Sequence, residues 1–507
     1  MIVSGSNIPS SPADLALIEQ LRNELQLAQL KIHVLEERLR LQRIEKYGRG
    51  SEKLSDDQLE LLDLEPGVSN VEVQAESQRE RVPRSRPRTR RHPGRQALPA
   101  HLPRVERILH CTPEQDICGI CGKETVLIGY DESERLAVEP AKYYVEVTKR
   151  EKKACATHGE QGVMAAPLPA QIIEKGLASN QVVIDTVVQK YCDHIPLYRQ
   201  SMILERDTGL ELSRVTLDGW VMKSGELLIP MAGAMRQELL RESYLQADET
   251  PVWVQMQQRR GKHHQAYLWQ YSRPGGIVVF DFQMSRARAG PKRFLGEFNG
   301  LLQTDGYKAY DHTGGPNLVH AACWSHAERY FDDVISLNRH DPVATPILNK
   351  IHELFAIDAE ARERGLSLQS RQALRLEKSK PLLDIINELV TAAAKTALPA
   401  SALAKACNYT LTLWGRLTRF LEYPELELSN NLAENSMRPV AVGRKNWIHV
   451  GSTLAGPKVA AILSVVESCR RLKISIRDYL NAVLPGLANL PVSRIPGLTP
   501  SAWARQH

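Results

Sequence analysis

YLQADETPVWV, residues 244–254, reads as a β-strand: Tyr, Val and Trp suit a pleated surface, and Asp248 lies among them. Working outward, the strand runs over 244–256, and further strands are expected at 266–271, 277–282, 301–304 and 318–322. The fourth ends in GLLQTDGY (300–307), which places Asp305 at a strand end. Helical patterns begin at Trp324, and 345–420 looks entirely helical, rich in Ala, Leu, Glu, Lys and Arg. LSNNLAENSMRP (428–439) predicts a short helix that carries Glu434, is capped by Asn430 and stops near Pro439. A last helical stretch covers 460–487.

A strand Asp, a second strand Asp and a helix Glu are what a ribonuclease-H-like, retroviral-integrase-like α/β core requires. Such carboxylates converge on one point, where they repel and raise one another's pKa. Mg²⁺ (or Mn²⁺) relieves this, since it takes hard oxygen ligands and keeps positions open for phosphate. Two such ions roughly 4 Å apart activate the attacking oxygen and stabilise the leaving one in phosphodiester hydrolysis and strand transfer. Spacing alone is weak in a chain with 59 acids, so the strand and helix contexts of Asp248, Asp305 and Glu434 carry the argument.

The chain has 507 residues, enough for about three domains at roughly 100–200 residues each. It is 43% hydrophobic and 24% charged, ordinary values for a globular protein. The net charge of +6 is mild, but ten arginines and only two acids, Glu80 and Glu106, lie between Arg79 and Arg107. Such a block suits an anionic polymer, although a solvated linker has the same composition. Pro83, Pro87, Pro93, Pro99 and Pro103 break any helix there. Upstream, Ile18, Leu21, Leu25, Ala28, Ile32, Leu35 and Leu39 form a heptad seam, either a coiled coil for self-association or a helix packed on its own domain. The start, MIVSGSNIPSSPADL, lacks a secretory pattern, and no apolar run of about 18 residues exists. The expected location is the cytoplasm, at the nucleoid, with no membrane partner. There thiols stay reduced, and paired cysteines point to metal. Cys118-x-x-Cys121 and Cys155-x-x-His158 have the spacing of a structural Zn²⁺ site. Residues 172–241 read as helices, with Thr208-Gly209 as a turn between two of them: a helix-turn-helix or a plain bundle.

The expected organisation is a coiled-coil helix (1–47), a basic Pro/Arg-rich linker (48–107), a zinc module (108–170) and a helical DNA-binding region (171–241). A catalytic domain (242–452) with a large helical insertion at about 340–425 follows, then a helical region (453–507).

RIEKYGRGSEKL (43–54), QKYCDHIPLYRQ (189–200), QADETPV (246–252), LLQTDGYKAY (301–310), AACWSHAERYF (321–331) and NNLAENSMRPVAVGRKNWIHVGS (430–452) follow one another in a familiar order. With these blocks the chain resembles the insertion-sequence-sixty-six family of bacterial DDE transposases. The resemblance implies catalytic roles for Asp248, Asp305 and Glu434. It also implies zinc binding at the two Cys/His pairs, paired element ends held by a homo-oligomer, and accessory proteins from the same element. Two departures stand out. Ser429 occupies a place where the family usually has Asp, and His158 one where it commonly has Cys. Cys323-x-x-His326 is either a partial metal site or packing beneath the active site. Arg84, Arg86, Arg88, Arg90, Arg91 and Arg95 are expected on DNA phosphates. Arg438, on the helical face of Glu434, and Arg444 and Lys445 are expected either on phosphates or paired with acids. The alternatives are a DNA-binding protein of transposase descent that no longer cuts, and a ribonuclease-H-like nuclease.

Overall fold

The computed structural model describes residues 143–506, except 150, 151, 156–158, 166, 168, 175, 257–262, 339 and 340; for 152–155 and 159–165 it describes the backbone alone. The expected coiled-coil helix, the basic linker, Cys118, Cys121 and His158 lie outside the described residues. The chain divides into two units, the first 44–148 and the second 1–43 with 149–507, and of the first only 143–148 are described, without regular secondary structure.

In the second unit β1 (Lys152–Cys155) and β2 (Gly159–Ala165) form an antiparallel hairpin. Three helices follow: α1 (Asn180–Tyr191), α2 (Leu197–Thr208) and α3 (Arg214–Leu239). Gly209, at φ 69°, ends α2 in the left-handed backbone that glycine adopts without steric cost. Ser213 starts α3, its hydroxyl accepting from the Thr216 N–H. The helix–turn–helix order is present, yet α3 is a core helix. Leu217, Trp220, Val221, Leu228, Met231, Met235 and Leu239 are buried along it, while Arg214, Val215 and Thr216 of its first turn are exposed.

The central sheet has six strands. β3 (Tyr244–Gln255), β4 (His263–Ser272), β5 (Val278–Gln283), β6 (Leu301–Thr304) and β7 (Val319–Ala322) lie in the order β5-β4-β3-β6-β7, and α4 (Ala289–Leu295) links β5 to β6. β4 runs antiparallel to both of its neighbours, β3 and β5, while β3, β6 and β7 are parallel. The strands match the expected positions closely. β4 starts earlier, at His263, because β3 continues to offer it partners through Gln255. β8 (His449–Val450) pairs with Trp253 and Val254 of β3, whereas β6 pairs with Tyr244, Leu245 and Gln246. Residues 247–252 of β3 therefore have no strand partner on that edge.

The helices after the sheet are α5 (Trp324–Leu337), α6 (Ala344–Glu363), α7 (Leu368–Leu374), α8 (Lys380–Thr396), α9 (Ala402–Thr412) and α10 (Trp414–Leu417). A π-helical turn, Arg375–Ser379, joins α7 to α8. α11 (Asn431–Trp447), α12 (Ala455–Arg471), α13 (Ile476–Val483) and α14 (Pro500–Gln506) complete the chain. α12 covers the outer edge of β5: the Val278 and Phe280 N–H groups donate to Ser468 Oγ and Ser464 Oγ at 2.9 and 2.8 Å. This satisfies an edge that would otherwise invite strand addition.

Three expectations need correction. α11 does not stop near Pro439 but continues to Trp447. A proline inside a helix costs about 3 kcal/mol, and burial of Val440 and Gly443 beyond it offsets that. Asn430 holds the N-cap position, but its side chain makes no capping bond, and both of its amide atoms are buried without a hydrogen-bond partner. The last helix is interrupted at Lys473, which has φ 58°, so α12 and α13 are separate.

Candidate active site

Gln246 of β3 and Gln303 of β6 are register partners in a parallel pair, and the two aspartates lie two residues beyond each. Asp248 lies on the unpartnered edge of β3, and Asp305 directly follows β6. Gly306 then turns the chain at φ +91°, where a Cβ would stand 2.3 Å from the Leu413 side chain, so a larger residue would be strained and crowded. The turn is fixed by the Tyr307 N–H, which donates to Asp305 Oδ1 at 2.8 Å, and by the Tyr409 hydroxyl, which donates to the Asp305 carbonyl at 2.7 Å.

Glu434 lies in the first turn of α11, a helix that packs against β3 and β4. Arg444 anchors its far end: Nη1 donates to Thr250 Oγ1 and to the Pro251 carbonyl, both at 2.7 Å. Arg444 is thus engaged with the sheet, while Arg438 and Lys445 are exposed.

Burial raises the Asp248 carboxyl well above the usual carboxylate range, and the charges of Glu249, Glu434 and Asp305 add to it. That sensitivity places the three expected acids in one electrostatic neighbourhood. Glu249 is also raised, by burial and by Asp305, with Arg286 and Tyr310 opposing. Arg286 Nη2 and Nε reach Glu249 Oε1 at 2.6 and 3.0 Å, the Tyr310 hydroxyl donates to Oε2 at 2.8 Å, and the guanidinium lies 3.9 Å from the centre of the Tyr307 ring. Glu434 meets Arg329 Nη2 at 3.2 Å and His326 Nε2 at 3.7 Å. Burial lowers the His326 pKa, so the imidazole favours its neutral form.

Cys323 and His326 do different work. Burial pushes the Cys323 thiol up to about 12, and its Sγ accepts the Asn430 N–H at 3.4 Å, which holds the start of α11. His326 faces Glu434. Sequence reasoning missed Glu249, Arg286, Tyr310 and Arg329. Only the adjacent Asp-Glu at 248–249 gave a hint, because arginines from distant segments carry no local signal.

Among the described residues, no three His, Cys, Asp or Glu side chains stand as a ready set of metal ligands. The donors nevertheless suit a hard divalent cation. All are carboxylates, Asp248 is buried beside three others, and Glu434 Oε1 is buried with no hydrogen-bond partner. Arg329 engages Glu434 through Oε2, which leaves Oε1 for a cation. Of the zinc candidates, Cys155 ends β1 and is the register partner of Gly159. The backbone thus places Cys155 where a hairpin closes. No described helix is long and apolar enough to cross a membrane.

Three family models match parts of the chain. Residues 115–157 match a family described as the zinc-finger binding domain of transposase IS66, a span that holds Cys118, Cys121 and Cys155 and ends one residue before His158. Residues 34–107 match one described as transposase C of IS166 homeodomain, which includes the Arg-rich stretch. Two relatives from Sinorhizobium fredii (strain NBRC 101917 / NGR234) are similar over most of their length. Uncharacterized protein y4qI is 32% identical over 90% of this chain and 86% of its own. Uncharacterized protein y4jD is 33% identical over 80% of this chain and 81% of its own. Residues 175–457, which contain Asp248, Asp305 and Glu434, match the family described as Transposase IS66 family, and the chain belongs to that family.

Proposed function

We propose that this transposase binds the ends of its element and cuts and joins DNA at Asp248, Asp305 and Glu434, on a ribonuclease-H-like core. One observation carries the reading. In the sheet order β5-β4-β3-β6-β7, antiparallel then parallel, Asp248 lies inside β3, Asp305 directly follows the neighbouring β6, and Glu434 lies on a helix packed against β3.

Mg²⁺ or Mn²⁺ held by these three carboxylates would neutralise charge at the phosphate and activate the attacking oxygen. The chain's own residues do the rest. Asp248 and Glu434 offer buried oxygens that the repulsion around Asp248 keeps ready for a cation. Arg329, on Glu434 Oε2, and Arg286, near Asp305, are cations close to the acids that would meet phosphate oxygens. Neutral His326 supplies no competing charge at Glu434. Arg438 and Lys445 extend a basic face along α11. Cys118, Cys121, Cys155 and His158 would hold one structural Zn²⁺, and the run Arg84, Arg86, Arg88, Arg90, Arg91 and Arg95 would grip the DNA backbone. Self-association through 18–39 would bring two active sites to two ends.

The test is cleavage and joining of element-end DNA by the wild type and by Asp248→Ala, Asp305→Ala and Glu434→Gln, with end binding followed by gel shift. Each variant should lose chemistry and keep binding. Full activity in any of them removes that residue from the site.

A further inference from the structure

Segment 427–430, which leads into α11, is held by a buried polar cluster that none of the catalytic roles explains. Tyr244, Gln246 and Gln303 are 6%, 0% and 1% exposed. Gln303 Nε2 donates to the Glu427 carbonyl at 2.7 Å. Gln246 Nε2 stands 3.1 Å from the Ser429 carbonyl and 2.9 Å from Gln303 Oε1. The Tyr244 hydroxyl donates to Gln303 Oε1 at 2.5 Å and accepts the Glu427 N–H at 3.3 Å. From the other side the insertion holds the start of this segment and the residue before it: Arg371 reaches the Glu427 carboxylate at 3.1 Å, and Arg375 Nη2 donates to the Leu426 carbonyl at 2.8 Å.

The geometry points to Gln246 and Gln303 as positioning residues that set Glu434 against the two aspartates. They are register partners across β3 and β6, and each precedes its aspartate by two residues, one strand repeat. Each therefore ties the glutamate-bearing segment to the strand that carries one aspartate. Polar side chains here are costly, and an apolar pair would fill the same space without a desolvation penalty. Gln246 Oε1 even remains buried without a partner. What the cluster adds is a fixed distance between the three acids. Ser429 contributes its carbonyl to this arrangement, so the bond to Gln246 is open to any side chain at 429.

This inference rests on the proposed function, and the experiment separates the two. Gln303→Met and Gln246→Met keep volume and remove the donors; Tyr244→Phe removes one hydroxyl and keeps the ring, as a milder change should either Gln variant fold poorly. Mn²⁺ affinity is read by electron paramagnetic resonance on the full chain, beside end cleavage, end binding and circular dichroism. Outer partners of metal ligands typically change metal affinity or activity by 10–100-fold. Folded Gln variants should therefore bind Mn²⁺ roughly tenfold more weakly, with Tyr244→Phe in between, while end-DNA affinity holds. Cleavage should recover in part at high Mn²⁺, which a general loss of structure would not allow. Wild-type Mn²⁺ affinity and cleavage in folded Gln303→Met and Tyr244→Phe overturn the positioning role and leave the active site standing. A wild type that neither binds Mn²⁺ nor cuts overturns both.

Discussion

Asp358→Ala should destabilise the helical insertion more than any surface change. The carboxylate is buried in α6 and receives Arg371 Nη2 at 2.7 Å and Arg375 Nε and Nη2 at 2.9 and 2.7 Å. Burial alone would raise its pKa, but the Arg371 hydrogen bond and the charges of Arg375 and Arg371 outweigh that and hold it below the usual range. Without Asp358, Arg371 still has Glu427, whereas Arg375, at 1% exposure, retains the Phe420, Pro424 and Leu426 carbonyls and the Phe420 ring but no hydrogen-bonded carboxylate. Removing one partner of a buried pair costs about 3–5 kcal/mol, a large share of a domain's roughly 5–15 kcal/mol. Unfolding in urea, followed by circular dichroism, should show a transition weakened by about that amount. The sign of the pH effect follows from the lowered pKa. The Asp358 contribution is present above its unfolded pKa of about 4 and is lost as pH falls through its folded value. Asp358→Ala should therefore lose that acid dependence. Adding Arg375→Met should restore much of the stability, because no uncompensated charge remains. A loss under about 1 kcal/mol would refute the reasoning and mean that water reaches the guanidinium.

Asp248 has a raised pKa, so its ionised form opposes folding as pH rises through the usual carboxylate range, and Asp248→Asn should raise the melting temperature at neutral pH while abolishing cleavage. The gain should vanish below about pH 4, where both states are protonated; a variant melting at or below the wild type at pH 7 contradicts the burial argument. Metal analysis of freshly purified protein should find one zinc per chain, lost in Cys121→Ser, and a zinc-free wild type would remove the proposed site. Neutralising Arg86, Arg88, Arg90 and Arg91 should weaken binding to end and scrambled DNA alike and flatten its salt dependence. Loss of end preference with unchanged random binding would mean that these residues read sequence.

The strands and the acid positions were legible because each strand has its own local pattern. LLQT at β6 is a short buried run, and Asp248 and Asp305 sit where those patterns place a strand interior and a strand end. What could not be read depends on long-range contact. Pro439 looked like a stop because the packing that carries α11 past it comes from β3 and β4, far away in sequence. The sequence offers Arg444 a phosphate or an acid, and says nothing of its bonds to Thr250 and Pro251, nearly two hundred residues earlier. The Thr208-Gly209 turn was correct, whereas the burial of α3 depends on α12, which no local signal announces.

The central claim is that one divalent-metal site lies among Asp248, Asp305 and Glu434. Fe²⁺ substituted for Mg²⁺ and treated with peroxide and ascorbate cuts backbone close to where it is bound. The account predicts three cut regions, around residues 248, 305 and 434, each suppressed by excess Mg²⁺ and absent in Glu434→Gln. Cuts confined to other segments, or a pattern unchanged in Glu434→Gln, would contradict it.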